Sequence, residues 1–172
     1  MADLTIIGFD ASTYVRTVRM VCEEKGVSHD LQPVDLGSAD HLALHPFGKI
    51  PIARHGDFVL YETIAIGRYV DRIFDGPALQ PADPRAAAVM DQWLSATVDY
   101  LYGTLVGAIV WQRLVVPSRG GTADEAAIAE AVPKMSAQLT ILDPAMGGSD
   151  YIAGDDVSLA DLLLAPILAY LK

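Results

Sequence analysis

The sequence predicts an α/β domain followed by an all-helical domain. Three observations carry this. Strand-length apolar runs alternate with helical periodicity over residues 1–77, a proline-rich stretch then breaks both periods, and every patterned segment beyond it has helical spacing. The domain boundaries that follow are 1–77, a linker over 78–83, and 84–172.

Leu4 to Phe9 is an apolar run of strand length, ended by Asp10-Ala11-Ser12-Thr13. Val15, Val18, Val21 and Cys22 then recur at helical spacing, with Arg16, Arg19, Glu23 and Glu24 on the other side and Gly26 as the stop. His29 to Leu36 alternates as a second strand, and Ser38 to Leu44 suits a short helix closed by His45-Pro46. Ile50-Pro51-Ile52 and Phe58 to Tyr61 flank a His55-Gly56-Asp57 turn, which makes a hairpin. Proline has no N–H for a ladder, so Pro51 belongs at the start of its strand. Ile64, Ile66, Tyr69, Val70 and Ile73 form an amphipathic helix that stops at Asp75-Gly76-Pro77.

Past the linker, Asp83-Pro84 reads as an N-cap with proline at the first helical position. Helical spacing persists almost to Val116 through Val89, Trp93, Val98, Leu101, Leu105 and Ile109. Thr122 to Glu125 reads as a capping box opening a helix that Pro133 kinks and Gly147-Gly148 ends. Asp150 to Asp161 reads D-Y-I-A-G-D-D-V-S-L-A-D, in which Ser158 caps a helix, Asp161 reaches back to its amide and Val157 is placed as a staple.

A chain of 172 residues, 52% hydrophobic and 20% charged, is expected to fold and to bury one or two cores. A net charge of −10 argues against nucleic acid or an anionic membrane as partner, since both need a basic footprint. No apolar run reaches the roughly eighteen residues of a membrane span, and no leader pattern is present, so the expected location is the cytoplasm. A single cysteine, Cys22, excludes an internal disulfide framework and a C-x-x-C redox pair. His29, His41, His45 and His55 have no metal-ligand spacing and are expected to be surface or turn histidines.

Two places concentrate polar groups beside open backbone. A cis Ile50-Pro51 bond would turn the Ile50 N–H and C=O outward, where they can pair with a bound peptide. Glu62-Thr63 stands where a helix begins, and its free amides suit a carboxylate.

Taken in order, the Ser12 turn, the I-P step, the E-T step, the linker and the Asp150–Asp161 run resemble the glutathione S-transferase family, in its bacterial, serine-type form, over essentially the whole chain. The resemblance implies a thioredoxin-like N-terminal domain with Ile50-Pro51 cis and a helical-bundle C-terminal domain. It implies glutathione as co-substrate, no metal, conjugation of its thiolate to a small apolar electrophile, and a homodimer. The Ile50 backbone beside Pro51 would pair with the cysteinyl part, while Glu62 and Thr63 would hold the γ-glutamyl end. Lys49 is either the cation for the glycine carboxylate or a solvated surface lysine.

Some family classes use a tyrosine in the first strand, but Thr5 to Phe9 contains none. Others use serine or cysteine in the turn that follows, and counting back from the V-R pair Val18-Arg19 puts Ser12 at the reactive position. Serine cannot form a mixed disulfide, so conjugation is expected over thiol transfer. Thr13 is the neighbouring candidate, and the alternative for Ser12 is an N-cap alone. Tyr100, Tyr102, Val106 and Trp111 are either core or part of the electrophile pocket. Family members usually continue past Ala165-Pro166-Ile167-Leu168, so either the second domain is shortened at its C-terminus or this sequence omits a disordered tail. The alternative function is a non-enzymatic member of the family that keeps the fold for binding or assembly.

Overall fold

The structure, a computed structural model, describes residues 3–171. It divides into two compact units, Met1–Pro81 and Ala82–Lys172.

The first unit follows the order β1 (Leu4–Ile7), α1 (Thr13–Lys25), β2 (His29–Gln32), α2 (Ala39–Leu44), β3 (Ile52–His55), β4 (Phe58–Tyr61) and α3 (Thr63–Ile73). The four strands lie in the order β2-β1-β3-β4, with β1 and β2 parallel and the β1-β3 and β3-β4 pairs antiparallel. This is the thioredoxin-like arrangement. α1 and α3 pack on each other and against the sheet, burying Val15, Val18, Val21, Ile66 and Val70 with Leu4, Ile6 and Ile52. Each such side chain contributes about 1.5–3 kcal/mol on burial. Gly26 closes α1 in the left-handed conformation at φ 67, with its N–H on the Cys22 and Glu23 carbonyls. β2 stops at Gln32 instead of running to Leu36, because Pro33 follows and offers no N–H to the ladder. Residues past α3 stay with this unit: Leu79 is fully buried and its amide donates to Asp71 at 2.9 Å.

The second unit is helical. α4 (Pro84–Ala96) opens on Asp83, whose carboxylate accepts the Arg85 and Ala86 amides at 2.9 Å each. The helix then widens to a π register over Thr97–Leu101 and Gly103–Val115 and ends in α5 (Val116–Ser118). Pro84–Leu101 and Gly103–Ser118 meet at a 46° bend. α6 (Glu125–Met146) runs through Pro133. Its N-cap is Asp124, which accepts the Ala127 amide at 3.0 Å, and not Thr122 as the capping-box spacing predicts. A carboxylate is the stronger acceptor, and Gln112 further fixes Asp124 by taking its N–H at 3.0 Å.

Gln138 of α6 is buried and donates to the Tyr100 carbonyl at 2.9 Å, inside the π segment. α7 (Leu159–Leu168) buries residues all round its circumference, as a helix apolar on every face must. Asp161 accepts the Ser158 amide at 2.9 Å, the Ser158 hydroxyl at 2.6 Å and the Ile152 amide at 2.8 Å, so the expected box ties the helix start to the loop before it. Among the described residues no single helix is long and apolar enough to cross a membrane; the pair across the bend reaches that length and apolarity only in combination.

Candidate active site

Register alone gathers the predicted residues. Ile7, the last residue of β1, stands opposite Ile52, the first of β3, and Ile52 stands opposite Tyr61, the last of β4. The turn after β1, the segment before β3 and the start of α3 therefore emerge at one end of the sheet. That brings Ser12, Ile50-Pro51 and Glu62-Thr63 to a common edge. Gly8 lets the first two close up: a side-chain carbon there would lie 2.6 Å from Val15 Cγ2 and 3.4 Å from Ile50 Cβ.

Ser12 is the N-cap of α1, in extended conformation at φ −73 and ψ 125. Its hydroxyl accepts the Val15 amide at 3.4 Å, a long bond that uses a lone pair and leaves the O–H proton without an acceptor among the described residues. The turn is held from both sides, by Ser12 N–H on the Phe9 carbonyl at 3.0 Å and by an ion pair between Arg19 and Asp10. Thr13, by contrast, is buried at the first helical position.

The Ile50-Pro51 bond is cis. Neither the N–H nor the C=O of Ile50 is engaged in a hydrogen bond among the described residues, which leaves a short open edge beside Pro51. Lys49 is exposed next to it. Glu62 has φ 73 and ψ 118, a region an L residue occupies at a cost of roughly 1–3 kcal/mol, and it caps α3 with no side-chain bond. The Thr63, Ile64 and Ala65 amides consequently have no partner among the described residues, and Thr63 itself is buried. Together these form a short anion cradle with an acid at its rim.

Two histidines lie behind this edge, and both correct the expectation of surface or turn positions: His41 and His45 are each only 1% exposed. His41 accepts the Gly37 amide at Nδ1, 3.0 Å away, and its Nε2 lies 2.9 Å from the Lys49 carbonyl. His45 stacks on Tyr61 with ring centroids 4.5 Å apart, and its Nδ1 is buried without a partner. Burial holds the His45 imidazole below its ordinary value; Glu62 pulls the other way, while Lys49 adds to the lowering. Their only sequence signal was spacing, four residues apart and so on one side of α2 and its cap.

Residues 6–78 match the family described as "Glutathione S-transferase, N-terminal domain", and residues 104–172 match "Glutathione S-transferase, C-terminal domain". The chain is 34% identical over 168 residues to "Glutathione S-transferase 3" of Zea mays, covering 94% of this chain and 75% of that protein. The chain belongs to the glutathione S-transferase family. Among solved structures, glutathione S-transferase III in apo form superposes with a TM-score of 0.89 at 35% identity, covering 99% of this chain and 81% of that one. Glutathione S-transferase I from maize, in complex with an atrazine glutathione conjugate, superposes with a TM-score of 0.87 at 28% identity, covering 99% and 82%.

Two other features bear on a transferase. Cys22 is buried in the first unit, where burial, with Glu23 adding to it, pushes its thiol up to about 12. It is a packing residue and not a nucleophile. In the second unit Tyr100 is 66% and Trp111 43% exposed, so neither fills a core position, whereas Tyr102 and Val106 are half-buried.

Proposed function

We propose that this protein is a glutathione transferase that joins the glutathione thiolate to a small apolar electrophile, with Ser12 as the sulfur-stabilising residue. The observation that carries this is the Ser12 hydroxyl: its lone pair serves the helix cap while its proton is uncommitted, at the edge where Ile50 and the start of α3 also present unpaired backbone groups. Membership of the family, and a relative solved with a glutathione conjugate, support the same reading.

In this arrangement the extended tripeptide pairs its cysteinyl part with the Ile50 backbone beside Pro51. The γ-glutamyl carboxylate sits on the α3 amides and the Thr63 hydroxyl, its ammonium faces Glu62, and Lys49 takes the glycine carboxylate. Ser12 Oγ–H donates to the sulfur, and the positive end of α1 adds to it, so the thiol gives its proton to solvent near neutral pH. A sulfur lone pair then forms the C–S bond, and with an aryl halide the halide leaves with the electron pair of the bond it breaks. No metal is invoked, and the electrophile is a small apolar molecule that the resemblance does not name further. The working form is a homodimer, carried over from the family's habit, and its location is the cytoplasm that the sequence leads one to expect.

The test is a thiol-conjugation assay with a generic aryl halide, alongside retention on immobilised glutathione. Turnover with retention is expected. Retention without turnover would move the chain to the non-enzymatic reading, and neither would refute the glutathione site.

A further inference from the structure

His41 takes no part in the chemistry just described, yet both of its ring nitrogens are committed and the ring is 1% exposed. The Gly37 N–H points at Nδ1 from 3.0 Å, so Nδ1 presents a lone pair and the proton of the neutral ring sits on Nε2. Nε2–H donates to the Lys49 carbonyl at 2.9 Å. The Lys49 carbonyl and the Ile50 N–H belong to the same peptide plane, and in a trans peptide these two groups point in opposite directions. A hydrogen bond that fixes the carbonyl side therefore fixes where the Ile50 N–H points, which is away from His41. That N–H has no partner among the described residues. Polarising the carbonyl also strengthens the amide on its far side as a donor.

We propose that His41 is a positioning residue that sets the Lys49–Ile50 peptide plane for the cysteinyl part of glutathione. The inference rests on the reading of the Ile50 edge as the glutathione edge. The ring is braced at both ends, so it cannot swing without losing a bond: Gly37 holds Nδ1, and Lys49 is held by Nε2. An apolar residue of similar shape would fill the space and leave the peptide plane unfixed. Because Ser12 lies on a different loop, losing the His41 bond should weaken glutathione binding and spare the chemical step.

Two substitutions separate the bonds. In His41→Gln the amide nitrogen falls about where Nε2 was, keeping the donor to Lys49 and releasing Gly37, which is exposed and turns to water. In His41→Asn the amide oxygen falls about where Nδ1 was, keeping Gly37 and losing Lys49. With the full chain and an aryl halide, His41→Asn is expected to raise KM for glutathione about five- to tenfold and to leave kcat and the KM for the halide within about twofold. His41→Gln should remain within about twofold of the wild type in all three. Equal KM values in the two variants, or a fall in kcat with KM unchanged, would overturn the proposal.

A measurement on the wild type needs no variant. Imidazole nitrogen shifts should show the Nε2–H tautomer of His41, and the Ile50 amide proton should move downfield on addition of glutathione; the Nδ1–H tautomer would refute the bond to Lys49. Wild-type protein that binds no glutathione by calorimetry removes the reading beneath. Unaltered His41→Asn kinetics on a wild type that does bind removes this inference alone.

Discussion

Lys25, the last residue of α1, and Asp71, in the last third of α3, form an ion pair with both side chains inside the first unit: Nζ is 3.2 Å from Oδ1, and the two side chains are 3% and 6% exposed. The pair is the centre of a clasp. Lys25 also donates to the Pro77 carbonyl at 3.0 Å and the Gly76 carbonyl at 3.4 Å, and Asp71 accepts the Leu79 backbone N–H at 2.9 Å and the Gln80 side-chain Nε2–H at 2.8 Å. One carboxylate thus ties two helices to the strap that follows α3.

Removing one partner of this clasp strands the other. Asp71→Leu is expected to lower stability by about 3–5 kcal/mol, and the double variant Lys25→Met with Asp71→Leu to recover much of it. Calorimetric unfolding of the three proteins checks this, and a double variant no better than the single one would contradict it. The pH dependence has a definite sign. Burial alone would raise Asp71, but the bonds from Gln80 and Leu79 and the bond and charge of Lys25 outweigh it and hold the carboxyl below its ordinary value. A depressed carboxyl contributes stability that is present above the unfolded-state value and is lost as pH falls through the folded one. Wild-type stability should therefore drop below about pH 4, and Asp71→Leu should flatten that limb.

Ser12→Ala separates the two uses of one hydroxyl. The cap bond is long, so its loss should cost only about 0.5 kcal/mol. Thiolate absorbance of bound glutathione, titrated against pH in both proteins, should shift to higher pH in the variant, with lower turnover on the acidic side and nearly unchanged binding. Coincident titration curves would leave Ser12 a cap and nothing more.

Glu62→Gly sets stability against function. Glycine adopts φ 73 without the penalty a side chain carries, so relief of strain should exceed the added freedom of the unfolded chain and raise stability by about 1 kcal/mol. Affinity for glutathione should fall because the ammonium loses its carboxylate partner. Isothermal calorimetry and thermal unfolding of the same sample check both signs. A variant both less stable and equally tight would refute the assignment.

Cys22 should be silent to thiol reagents in the folded protein. With its thiol pushed up to about 12, only about one molecule in ten thousand carries the thiolate at pH 8. Reaction with a disulfide reagent should therefore follow unfolding, and rise to one equivalent only in denaturant.

The elements the sequence alone determined are those encoded between near neighbours. Asp83 as a cap, Gly26 as the stop of α1, the Ser158–Asp161 box and the β-turn at Gly56 each depend on residues within about four positions, so their chemistry is visible in the string. The two steps at Ile50-Pro51 and Glu62-Thr63 were visible for the same reason, as were their ends of the hairpin.

What only the tertiary structure decided depends on groups that arrive from elsewhere. The Lys25–Asp71 clasp joins residues 46 positions apart, and no local pattern marks either as buried. His41 and His45 read as polar residues near a turn, yet the close approach of the Lys49 strap and of Tyr61 encloses them. Asp124 displaced Thr122 as a cap because Gln112 reaches across from the preceding helix. The π register of residues 97–101 and 103–115 keeps the same apolar spacing to the eye as an α-helix, so periodicity cannot distinguish the two; the carbonyl of Tyr100 meeting Gln138 belongs to the packed unit and not to the string. Local propensity fixes where elements begin and end, whereas burial of a polar group is fixed by which partner folds over it.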